Sequence, residues 1–168
     1  MGARGAVGRA RFGLRGGGAG EKQRMRDQEC KFRRIVAREV PAYIIDENDR
    51  VIVFLSLENH PMVVPREHIP DIYAMPSDVG AAVMEEAIKV AKAVKKALQC
   101  DGVYLTQANE PAAGQDVFHY HIHIYPCWGD RERRAISDFA GSMTDREIVT
   151  EEMKATTAEK VRQGLANL

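Results

Sequence analysis

Three histidines at alternate positions, His119, His121 and His123, lie in the run Gly114-Gln115-Asp116-Val117-Phe118-His119-Tyr120-His121-Ile122-His123-Ile124-Tyr125-Pro126. Side chains on a β-strand point to opposite faces with a period of two. As a strand, this run carries three imidazoles on one face and Tyr120, Ile122 and Ile124 on the other. An imidazole has an unperturbed pKa of about 6.5, so it serves as base, acid, nucleophile or ligand near neutral pH. Burying three side by side without a task costs desolvation at each, which argues against a purely structural role. A shared metal ion is the next reading. A straight strand separates His119 from His123 by roughly 13 Å, while nitrogens on one zinc lie about 2.0–2.1 Å from it. Covalent chemistry on an extended substrate fits better, with the middle histidine as nucleophile and its neighbours orienting it.

Gln115, Phe118 and the run from His119 to Tyr125 resemble the signature of the histidine triad (HIT) superfamily of nucleotide hydrolases and transferases, in which three histidines alternate with apolar residues. His60-Pro61-Met62-Val63-Val64-Pro65-Arg66-Glu67-His68 is similar to the family's upstream segment, and the likeness runs from about Cys30 to Trp128. The resemblance implies that His121 attacks the α-phosphorus of a nucleotide, that His123 donates to the phosphate oxygens, and that His119 positions its neighbours. It implies contact of Gln115 with the bridging oxygen or leaving group, and of Asn109 with the phosphate region. His60 matches a fourth histidine in the layer behind the triad; His68 is expected in a loop, in a surface or capping role. Ser56 stands where relatives commonly carry an aspartate that grips the ribose hydroxyls, and Asp116 where they carry Ser or Thr facing the phosphate. Trp128 is a candidate for stacking on a base or a partner subunit. Cys30-Lys31-Phe32-Arg33 occupies the place of a Cys-x-x-Cys pair that, with two histidines, holds structural zinc in bacterial relatives. With Arg33 in place of the second thiolate, no structural zinc is expected.

The elements that must position these residues are, as the resemblance implies, those of an α+β domain, HIT-like, with an antiparallel sheet of about five strands, one long helix packed on it and terminal helices. A short helix over 27–37 precedes strands at 43–45, 51–55 and 62–64, and Asp46-Glu47-Asn48-Asp49 is turn chemistry. Val79, Val83, Ala87, Val90, Val94 and Leu98 recur at helical spacing, with Ser77 as the expected cap and Lys95 and Lys96 at the far end. A strand over 103–107 follows, and Val149, Met153, Val161 and Leu165 suggest a helix over 145–165 with a break near Thr156-Thr157.

Composition narrows the class. The chain has 168 residues, 45% of them hydrophobic, enough for one packed core. Residues 1–24 hold six Lys or Arg against Glu21, leaving 18 bases and 23 acids in the remainder. That mildly acidic remainder disfavours a nucleic-acid surface. No apolar run approaches the roughly 20 residues that span a bilayer. Cys30, Cys100 and Cys127 are too few and scattered for a disulfide framework, which points to a reducing compartment. The expected division is a disordered Gly/Arg-rich tail over 1–24, a HIT domain over 25–140 and a C-terminal helical extension over 141–168. A start at Met25 explains the tail better than targeting does, and a cytoplasmic location is expected, with mitochondrial import the minor alternative. Arg131, Arg133 and Arg134 read as a solvated charge run rather than as contacts to distal phosphates.

The resemblance thus implies a nucleotide hydrolase or nucleotidyl transferase that cleaves at the α-phosphate of a nucleoside phosphoramidate or dinucleoside polyphosphate through a nucleotidyl-histidine. No cofactor is required, though a divalent cation can accompany a polyphosphate substrate, and the family usually forms homodimers. The alternatives are a noncatalytic nucleotide-binding or signalling module, blunted by Ser56 and Asp116, and a histidine-rich metal-binding protein.

Overall fold

The computed structural model describes residues 30–129 and 149–168. Helix α1 (Lys31–Val36) leads into β1 (Ile44–Glu47), β2 (Val51–Leu55) and β3 (Pro61–Pro65). Helix α2 (Ser77–Ala97), β4 (Gly102–Thr106), β5 (Ile122–Cys127) and α3 (Glu151–Ala166) follow, with short 3-10 turns at Ile72–Ala74 and Pro111–Ala113. The five strands form one antiparallel sheet in the order β1-β2-β3-β5-β4. The first three make a meander, and the fifth returns to lie between β3 and β4.

Every residue of β2 and β3 is buried, because both faces of the sheet are covered. On one face Val51, Val53, Leu55, Val63, Ile122 and Ile124 pack with Val83, Ala87, Val90 and Val94 of α2 and Ala158 and Val161 of α3. On the other, Ile52, Phe54, Met62 and Val64 pack with Cys30, Phe32 and Ile35 around α1. The β1–β2 turn closes on Asn48, whose Oδ1 accepts from the backbone N–H of Arg50 (2.9 Å) and Val51 (2.8 Å).

Several sequence expectations change, beginning with Asp46 and Glu47, which end β1 where a turn was expected. Pro76 takes the cap position of α2, and Ser77 is its first helical residue, so the expected serine cap is not formed. Helix α3 runs unbroken through Thr156-Thr157, capped by Thr150, whose hydroxyl accepts from Met153 N–H at 3.2 Å. Its buried face is made of Ala158, Val161 and Gly164, while Met153 is exposed. Small residues let two helices approach closely, a preference that large-apolar periodicity does not register. The guanidinium of Arg162 donates to the Ile44 carbonyl at 3.0 and 2.7 Å, tying α3 to the start of β1. The histidine strand itself also changes, since β5 begins only at Ile122. The 1–24 tail and Arg131, Arg133 and Arg134 lie outside the described residues. No helix among the described residues is long and apolar enough to cross a membrane.

Candidate active site

The histidine run is only partly a strand: β5 begins at Ile122, and the backbone bends at 117–119. His119 and His121 therefore approach the sheet from a bent segment, pinned where Tyr120 N–H meets the Ile69 carbonyl at 2.6 Å. His119 and His121 stay on one side. Phe32 of α1 touches both, edge-on to His121 at 5.0 Å between centroids and tilted against His119 at 6.1 Å. His123 joins through its 4.8 Å contact with His121. Tyr120, Ile122 and Ile124 face the opposite core, as alternation requires.

Each triad ring has at least one nitrogen committed. His121 Nδ1 lies 2.7 Å from the His119 carbonyl, an acceptor only, so Nδ1 carries the hydrogen and Nε2 keeps its lone pair. His119 Nε2 meets the Pro65 carbonyl at 2.8 Å, so Nε2 is the donor and Nδ1 is left to accept from the Cys30 thiol at 3.6 Å. His123 Nδ1 is 2.8 Å from Nε2 of His60. Tyr125 packs over both, 3.9 Å from His60 and 5.6 Å from His123. The register that pairs Met62 with His123 and Val63 with Ile122 brings the 60–63 segment to the triad.

Burial disfavours the charged imidazolium here. It pushes His60 down to about 3, helped by the neighbouring His123. It pushes His123 down to about 4, with His121 adding to the effect and Asp116 opposing it. His121 is lowered by burial too, against the pull of the His119 carbonyl and of Asp116. All three are neutral at physiological pH, the state a nitrogen nucleophile needs.

The remaining sequence candidates fall into two groups. Asp116 is exposed but near enough for its charge to act on His121 and His123. Trp128, partly exposed, follows the end of β5. Gln115, Asn109 and Ser56 are engaged by the protein itself. Gln115 is buried, accepting from Glu110 N–H (2.7 Å) and donating to the carbonyls of Pro70 (2.6 Å) and Val117 (3.1 Å), so it shapes the bend that delivers His119. Asn109 Oδ1 accepts from Ile72 N–H at 2.8 Å and its Nδ2 donates to Gln107 Oε1 at 2.7 Å, holding the 72–74 turn. Ser56 is buried behind His60, its Oγ 3.0 Å from His60 Nδ1, which gives it protein partners where a ribose contact was expected. His60 is buried against His123, as its second-layer reading has it.

The family model for the HIT domain matches residues 37–128. This chain belongs to the HIT family. An uncharacterised HIT-like protein of Saccharolobus solfataricus is 39% identical over 103 residues, spanning 59% of this chain and 74% of that protein. An adenylylsulfatase of Arabidopsis thaliana is 32% identical over 102 residues, 58% of this chain and 52% of that protein. Among solved structures, a hypothetical histidine triad nucleotide-binding protein of Sulfolobus tokodaii superposes with a TM-score of 0.72 at 26% identity, covering 83% of this chain and 93% of that one. The α+β fold expected from the sequence is the HIT fold found here.

Within this HIT domain, sequence reasoning missed Phe32 and Tyr125 as the walls of the histidine cluster, and it left His68 at the surface. The His68 ring is half-buried and lies 4.9 Å from that of His119. Donor atoms of Cys30, His68 and His119 all lie within 4.8 Å of one another. The signal was the second histidine of the 60–68 segment. These donors are one short of a closed four-ligand zinc site, and Arg33, the residue at the missing thiolate's place, is exposed on α1.

Proposed function

We propose that this HIT protein is a nucleotide hydrolase or nucleotidyl transferase that cleaves at the α-phosphate through a covalent intermediate on His121. One observation carries the reading. The 2.7 Å bond of His121 Nδ1–H to the His119 carbonyl fixes the ring with its Nε2 lone pair bare. Burial keeps that ring neutral. A neutral nitrogen is suited to attack phosphorus bearing anionic oxygens, which repel charged nucleophiles. Nε2 bonds to the α-phosphorus, and the bond from phosphorus to the leaving oxygen or nitrogen breaks; the leaving group departs with the electron pair and takes up a proton. Water then adds to the phosphorus, the phosphorus–nitrogen bond breaks, and the lone pair returns to His121. His123 donates to the phosphoryl oxygens, and Asp116 at the mouth favours substrates that present a cation near the leaving group.

The test is incubation with a fluorogenic adenosine phosphoramidate and with diadenosine polyphosphates, with and without chelator, followed by acid quench and intact-mass measurement. Chelator-insensitive turnover, an adduct of one nucleotidyl group, and loss of both in His121→Ala are the expected results. Tight nucleotide binding with no turnover and no adduct would replace this reading with that of a binding module.

A further inference from the structure

Ser56 forms the end of a chain of three polar side chains. Its Oγ accepts from the backbone N–H of Glu58 at 3.1 Å and of His60 at 3.3 Å. A hydroxyl has two lone pairs and one hydrogen, so its hydrogen is what remains. The nearest acceptor is His60 Nδ1 at 3.0 Å. If Nδ1 accepts, the neutral His60 ring carries its hydrogen on Nε2, and that hydrogen points to His123 Nδ1 at 2.8 Å. His123 Nδ1 must then be the acceptor, and the hydrogen of His123 sits on Nε2, the nitrogen facing away from His60.

We propose that Ser56 is a positioning residue that, through His60, sets the tautomer of His123 so that its outer nitrogen presents an N–H rather than a lone pair to the phosphate oxygens. The final clause rests on the hydrolase reading; the relay itself does not. The outcome is a site with two imidazoles in opposite tautomers. His121 is held by a carbonyl and offers a lone pair. His123 is held by a hydroxyl acting through a second ring and offers a hydrogen. A nucleophile and a phosphate donor need that complementarity.

Ser56 matters because the relay has a competitor. The Glu58 carbonyl raises the proton affinity of His60 and so favours a hydrogen on the His60 ring where it faces that carbonyl. A ring with hydrogen on Nδ1 would turn every step around, leaving His123 with a lone pair outward. It would also ask Oγ, already accepting from Glu58 and His60 N–H, to accept a third hydrogen. The serine hydroxyl, its own lone pairs occupied, tips the balance.

The experiment is long-range 1H–15N NMR of the histidine side chains at pH 7.5 in the 15N-labelled full chain, with His60→Gln and His123→Gln assigning the signals. In the wild type, His60 and His123 are expected as Nε2–H tautomers and His121 as Nδ1–H. In Ser56→Ala, His60 and His123 should switch to Nδ1–H while His121 is unchanged; Ser56→Thr, which keeps the hydroxyl, should retain the wild-type pattern. Loss of the His123 donor should lower kcat about 100-fold in Ser56→Ala, the scale found when one oxyanion donor is removed, with a much smaller change in KM and recovery in Ser56→Thr. A wild-type spectrum with hydrogen on His60 Nδ1 overturns the proposal whether or not Ser56→Ala folds, and so does a Ser56→Ala spectrum with unchanged tautomers. The expected spectra with no turnover of any nucleotide by the wild type uphold the relay and remove the hydrolase reading.

Discussion

Replacing Gly164 by alanine should destabilise this protein, the reverse of what a glycine inside a helix ordinarily yields. On propensity alone Gly→Ala in a helix interior gains about 1 kcal/mol. The methyl group at position 164 would stand 3.0 Å from the carbonyl oxygen of Ala93 and 3.0 Å from the Cβ of Ala97. Both atoms belong to or sit directly on the α2 backbone, so no side-chain rotation relieves the contact, and α3 must lift off α2 by a few tenths of an ångström. Over-packing of this kind costs roughly 1–3 kcal/mol. The net is a loss of up to about 2 kcal/mol, or a fall in the urea midpoint of up to about 1 M for a chain of this size. Gly80 provides the control. A methyl there would meet Cγ of Met75 at 3.3 Å, and that flexible side chain can turn aside, so Gly80→Ala should be neutral or stabilising by up to about 1 kcal/mol. Equilibrium urea unfolding followed by far-UV circular dichroism measures both. A Gly164→Ala variant more stable than wild type by about 1 kcal/mol would show that α3 does not pack on α2 at this closeness.

Acid should weaken the fold before its carboxylates titrate. His60 and His123, near 3 and 4 in the folded protein, refuse protons that the unfolded chain takes up below about 6.5, so stability is flat above that pH and falls as pH drops from 6.5 toward 4. The urea midpoint should be lower at pH 5 than at pH 7.5; equal midpoints would contradict the burial argument. Asp116→Asn removes a negative charge beside His121 and His123 and should lower KM for a diadenosine polyphosphate a few-fold at low salt, on the order of 0.5–1 kcal/mol for one exposed charge, with the difference fading as salt rises. No low-salt difference would show that the carboxylate lies out of reach of the substrate. Arg33→Cys should complete the Cys30, His68 and His119 donor set and raise the zinc content measured by elemental mass spectrometry to near one per chain, from well below that in the wild type. Stoichiometric zinc in the wild type would refute the assignment.

The legible parts of the chain were those where period and burial coincide. Strand β2 was read with its observed bounds, β3 to within a residue at each end, and α2 from its apolar stripe, because each fills a place defined by local pattern. Helix α3 was read as one helix that two threonines could break; their lower helix propensity was outweighed by packing against α2. The triad was read as one continuous strand because alternation persists through it. Alternation cannot register the bend that Gln115 and the Tyr120–Ile69 contact impose before Ile122.

By itself the sequence determined that three neutral-capable rings share a side and that the apolar residues between them face the core. These follow from side-chain periodicity and from residue chemistry, which are local; the place of the 60–68 segment beside them was implied only by its resemblance to the HIT family. Only the tertiary structure decided which nitrogen of each ring carries its hydrogen. That depends on a carbonyl at His119, another at Pro65 and the hydroxyl at Ser56. Hydrogen-bond direction is a property of pairs brought together by folding, and no spacing along the chain encodes it.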